Sequence, residues 1–113
     1  MKSKIVSLSK NEDFKKILGG ERISNRYLTI FFKKISDKDN KKLNLSIITK
    51  KKTGNAVSRN KIKRRLKNIM NDAIKNININ LSYCYLLIAR TSILNSSYEN
   101  IKKTLFAEFE NIK

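Results

Sequence analysis

The sequence predicts an α/β sandwich built in the order helix, strand, strand, helix, strand, helix, and three observations carry that reading. Two β-branched and aromatic runs, YLTIFFKKI from Tyr27 and LNLSIITKK from Leu43, are joined later by a third, YCYLLIAR from Tyr83. Between the second and third runs, Ile62, Leu66, Ile69 and Ala73 fall at the i, i+4, i+7, i+11 spacing of a long amphipathic helix. At 113 residues the chain suits one domain, 1–113, around one core.

The elements follow in order. Ser9 and Glu12 have the spacing of a capping box, Phe14, Ile17 and Leu18 supply one apolar side, and Gly19-Gly20 is a stop, so a first helix is expected over about residues 10 to 18. The runs from Tyr27 and Leu43 are separated by the polar SDKDNKK, which predicts an antiparallel hairpin with a loose loop. Asp37 and Asp39 in that loop are read as turn residues and not as a metal site. If Leu28, Ile30 and Phe32 face the core, alternation turns Tyr27, Thr29, Phe31 and Lys33 outward. Thr53-Gly54-Asn55 breaks the strand pattern, and Asn55 or Ser58 is the expected cap of the long helix. YCYLLIAR is short and apolar on both faces, as an interior strand is, and it joins a mixed sheet through that crossover helix. A last helix over about 96 to 112 is expected to bury Ile101, Leu105, Phe106 and Phe109.

Composition narrows the function. Lys and Arg number 26 against 9 Asp and Glu, a net charge of +17 that repels itself in a compact fold unless a polyanion neutralises it. Nucleic acid is the leading partner. No apolar run approaches the roughly 20 residues that span a bilayer, and MKSKIVSLSKNEDF lacks the apolar core of a secretory signal. A cytoplasmic protein with no membrane partner is expected. Cys84, the lone cysteine, sits in an apolar run and reads as a small buried hydrophobe. With no His there is no imidazole base and no His-ligated metal, so neither catalytic residues nor a small-molecule substrate are expected on this chain. Heavy use of Lys, Asn and Ile with no Pro reads as a bias of the coding genome, which dilutes the meaning of any one surface Lys.

The amphipathic helix is different. With Ile62 at the centre of its buried stripe, Asn60, Arg64, Lys67 and Asn71 fall near the opposite face, flanked by Lys61, Lys63 and Arg65. From Asn40 to Asn71 there are eleven basic residues, Lys50, Lys51 and Lys52 among them, and no acid. A charge run is usually a solvated face of mixed sign. Here no acid stands at i+4 to pair with, so the like charges destabilise the helix until phosphates arrive. Arg forks onto phosphate, and Asn donates and accepts at sugar or base edges. On spacing alone, structured RNA and DNA are equally suitable. Zinc-finger spacing and the aromatic signature of an RNA-recognition sheet are both missing.

The stretch KKTGNAVSRNKIKRRLKN resembles the RNR motif of the bacterial ribonuclease P protein family, with Arg59, Asn60, Lys63 and Arg64 matching directly and Lys61 and Lys67 standing where Arg is usual. LSKNEDFKKIL is similar to that family's first helix, NRYLTIFF to its first strand and YLLIART to its last. Leu18 replaces a usual aromatic, Ser46 a strand Gly, and Cys84 a common acid. The resemblance implies an accessory subunit: a large RNA does the chemistry, cutting precursor tRNA to release its 5′ leader, with Mg²⁺ held mainly by that RNA. It implies that Arg59, Asn60, Lys61, Lys63, Arg64, Arg65 and Lys67 sit against ribonuclease P RNA. It also implies a cleft between the first helix and the sheet, where Phe14, Leu18 and Phe31 meet the leader bases and Lys50, Lys51, Lys52 and Arg90 its phosphates. An aromatic on an amphipathic helix is more often core; the resemblance assigns Phe14 to the cleft. The crossover from second to third strand is implied to be left-handed, against the usual rule. Two rivals stand beside this reading, a ribosomal protein and a DNA binder that lays the helix in a major groove.

Overall fold

The computed structural model describes residues 5–8, 11–35, 41–50 and 55–112. Its strands are β1 (Ile5–Ser7), β2 (Glu21–Ser24), β3 (Leu28–Lys34), β4 (Leu43–Thr49) and β5 (Tyr83–Ala89), and its helices α1 (Asn11–Leu18), α2 (Ala56–Asn76) and α3 (Tyr98–Asn111), with a 3-10 segment at Thr91–Asn95. The strands form one mixed sheet in the order β1-β4-β5-β3-β2.

That order corrects the expected hairpin. The runs from Tyr27 and Leu43 both become strands, but β5 lies between them, antiparallel to β3 and parallel to β4. Tyr85, Leu86 and Leu87 are fully buried, and a strand apolar on both faces belongs in the middle of a sheet. The polar loop between β3 and β4 has none of the short turn chemistry that would have fixed a hairpin register. Two strands escaped the sequence reading. β1 is three residues long and exists only as a parallel partner of β4, Ile5 opposite Leu43. β2, with the sequence ERIS, is a polar edge strand paired antiparallel with β3.

The helices follow their sequence signals. Asn55 caps α2, its Oδ1 accepting from the Ser58 backbone N–H at 2.9 Å. Ile62, Leu66, Ile69 and Ala73 are all buried, as their spacing requires. Ser97 caps α3 in the same way, accepting from Asn100 N–H at 3.2 Å. In α3, Ile101, Leu105 and Phe109 are buried, but Phe106 is only partly so, and Lys102 lies over its ring at 5.5 Å. The capping residue expected at Ser9 lies outside the described residues, as do Asp37 and Asp39. No helix among the described residues is long and apolar enough to cross a membrane.

The two faces of the sheet are unequal. α2 and α3 cover one, over a core that includes Leu28, Ile30, Phe32, Leu45, Tyr85 and Leu87. There Tyr85 stacks edge-on against Phe109 at 5.1 Å and donates its O–H to the Asn80 carbonyl at 2.6 Å, while burial pushes the phenol's pKa up. Among the described residues the other face carries only α1, over Leu8, Ile17, Ile35, Cys84 and Leu86. Cys84 is buried there, in the position of a small hydrophobe. Tyr27, expected to face outward, is buried in the larger core because it precedes β3 in a turn where strand alternation has not begun. Its backbone N–H and that of Leu28 donate to Asn25 Oδ1 at 2.8 and 3.0 Å.

Candidate nucleic-acid interface

The capped N-terminal half of α2 brings the expected basic residues together on its outer side. Asn60, Lys61, Lys63, Arg64 and Lys67 are exposed. Arg59 and Arg65 are half-buried along the helix flanks, and Asn71, at the end of the ridge, is half-buried as well. Arg65 is tied down, donating from Nη1 to the Ile93 carbonyl at 3.4 Å, so it braces α2 against the 3-10 segment as well as adding charge. Arg59 has its Nε buried with no acceptor among the described residues. The first acid on the helix is Asp72, and it is engaged elsewhere: it pairs with Lys102 at 3.3 Å and accepts from the Tyr98 hydroxyl at 3.4 Å. The ridge therefore keeps an uncompensated positive field, with the positive end of the helix dipole and no acid in the first turn behind it.

The second region lies on the opposite face. Register places side chains in rows across the sheet: Arg22, Phe31, Leu86 and Ser46 in one, Ser24, Thr29, Ile88 and Ile48 in the next. α1 covers the first row, sealing Leu86 under Ile17, and leaves Phe14, Phe31, Ile48 and Ile88 half-buried at its margin. Leu18, at the end of α1, is 48% exposed. An apolar shelf beside an incompletely covering helix results, of the kind on which bases stack. Gly20 holds α1 close to the sheet: a Cβ there would stand 2.6 Å from the Phe32 carbonyl oxygen.

Beyond the shelf, Lys50 and Arg90 line one concavity of about 490 Å³ at the carboxyl ends of β4 and β5. Arg26 lines it too, a residue that sequence reasoning did not single out; only the position of the turn before β3 reveals it. Lys51 and Lys52 lie outside the described residues. Phe14, Phe31, Lys50 and Arg90 are thus on the α1 side of the sheet, and the basic ridge belongs to the helix packed on the other. Among the described residues no three of His, Cys, Asp and Glu gather as a metal site would need.

A family model described as Ribonuclease P matches residues 2–113. The ribonuclease P protein component of Mycoplasma mycoides is 33% identical over 113 residues, covering all of both chains. That of Carboxydothermus hydrogenoformans is 36% identical over 102 residues, covering 87% of this chain and 83% of its own. Among solved structures, the ribonuclease P protein of Thermotoga maritima superposes with a TM-score of 0.80 at 23% identity, covering 96% of this chain and 98% of its own, which establishes the fold. A Staphylococcus aureus ribonuclease P protein gives 0.76 at 29% identity, with 93% and 97% covered. These matches define an accessory protein subunit of a tRNA-processing ribonucleoprotein. The chain belongs to the ribonuclease P protein component family, whose partner is the ribonuclease P RNA in the endoribonuclease of tRNA 5′ maturation.

Proposed function

We propose that this protein binds two RNAs on opposite faces of its sheet. The ridge of Arg59, Asn60, Lys61, Lys63, Arg64, Arg65 and Lys67 takes the phosphates of the catalytic RNA. The shelf of Phe14, Leu18 and Phe31 takes the single-stranded 5′ leader of precursor tRNA, with Lys50 and Arg90 at its phosphates and Lys51 and Lys52 assigned to the same strand from sequence. The protein thereby aids endonucleolytic removal of the leader in the cytoplasm, while Mg²⁺ is held mainly by the RNA. One observation carries the reading: an acid-free helix face and a half-covered aromatic shelf lie on opposite sides of one sheet. A continuous basic surface would suit a single RNA; two chemically distinct faces suit a duplex-rich partner and a flexible strand.

The test is cleavage of a precursor tRNA at low Mg²⁺ by the matching ribonuclease P RNA with and without the protein. Cleavage at the mature 5′ end that depends on the protein is the expected result. Equal cleavage in its absence removes the accessory role.

A further inference from the structure

The concavity at the ends of β4 and β5 is more completely built than a pair of surface cations requires. Arg26, Lys50 and Arg90 line it together, Thr29 and Ser92 add hydroxyls, and Ile88 adds one apolar wall. Its described lining contains no acid. Three like charges facing a shared hollow repel one another, and an anion in the hollow converts that repulsion into attraction.

The backbone beneath it is fixed from both sides. Asn25 closes the turn before β3, accepting from Tyr27 and Leu28 N–H groups, while its own N–H donates to the Leu28 carbonyl at 3.0 Å. The end of β5 is then fastened onto that turn: Arg90 N–H donates to the Tyr27 carbonyl at 2.8 Å, and the Ser92 hydroxyl donates to the Arg26 carbonyl. Arg26 and Arg90 are therefore presented from two chain segments locked to each other. Among the described residues Arg90 makes one long side-chain bond, Nη2 to Thr29 Oγ1 at 3.5 Å, and Thr29 Oγ1 in turn lies 3.1 Å from Ser24 Oγ. That contact aims the guanidinium while leaving most of its donors for a ligand.

We infer that this hollow is a pocket for one backbone phosphate of the leader, with Arg26 as its third cation and the Asn25 turn as its frame. The inference rests on the proposed leader cleft and gives that cleft an end. The pocket lies along β5 from the shelf, Arg90 being four residues beyond Leu86, or about 13 Å of strand. A strand stacked on Phe31 thus runs along the sheet and is held at its far point by charge, not by base identity.

The test uses ribonuclease P reassembled from its RNA and this protein, with precursor tRNAs whose leaders carry a single neutral methylphosphonate linkage moved position by position. With the unaltered protein, one position weakens precursor binding relative to mature tRNA by about 5-fold or more. Arg26→Ala costs a similar factor and makes that position silent, since one charge contact cannot be lost twice; Arg26→Lys restores part of the sensitivity. Arg26 is exposed and is held through its backbone carbonyl, so the variant keeps its fold, which circular dichroism checks. A sensitive position that persists in Arg26→Ala overturns the pocket. So does a loss of affinity for the ribonuclease P RNA itself, which would assign the phosphate to that RNA. Phe14→Ala separates the two claims: if it lowers the preference for precursor while Arg26→Ala does not, the cleft stands and the pocket falls. If neither lowers it, both fall.

Discussion

One face of the sheet is sealed and the other is left ajar. Under α2 and α3, aromatic and aliphatic side chains interlock to complete burial; under α1, a few buried residues are ringed by half-exposed ones of the same chemistry. The contrast teaches where this small protein spends its apolar residues. The sealed face holds the fold, so α2 can carry a ridge of mutually repelling cations without coming apart. The open face keeps its aromatics wet enough to be reached.

Breaking the sealed face should have the largest effect. Phe109→Ala removes a fully buried ring against Tyr85 and should cost about 3–5 kcal/mol in urea unfolding. The expected companion is a loss of every RNA activity at once. Gly20→Ala attacks the open face instead, forcing a methyl against the Phe32 carbonyl. It should destabilise by about 1–3 kcal/mol and weaken the preference for precursor over mature tRNA, while affinity for the ribonuclease P RNA holds. Arg64→Ala should do the reverse, weakening that affinity by about 1–3 kcal/mol with stability within about 0.5 kcal/mol of the parent. Equal losses of both RNA affinities in Gly20→Ala and Arg64→Ala would mean that the two faces are not separate surfaces. Smallest is Asn55→Ala, which removes the α2 cap and should cost about 1 kcal/mol of stability, read by thermal melting.

The sealed face was the legible one. The stripe Ile62, Leu66, Ile69 and Ala73 declares itself by period, Asn55 by its capping chemistry, and YCYLLIA by being apolar on both sides. Pairing was not legible, because β5 reaches its partners across the whole of α2, and nothing local in β3 or β4 says that another strand will come between them. β2 failed for a different reason: Glu21, Arg22 and Ser24 on an exposed edge carry no alternation to detect. At the site, the basic ridge followed from charge and spacing, whereas Phe14, Phe31, Lys50 and Arg90 were grouped by family resemblance. Arg26 lies inside the stretch NRYLTIFF without a role of its own there, and entered only through the turn that holds it beside Arg90.

The central place of β5 also sets a schedule for the growing chain. Its partners in β3 precede it by roughly 50–60 positions, so on the ribosome β3 and β4 are both made before the strand that joins them. A transcript truncated just before Tyr83 would yield a polypeptide with its basic helix already translated and no sheet to seat it on. Assembly with RNA is thereby tied to the last third of translation, and an unfinished copy has no finished surface with which to occupy a catalytic RNA.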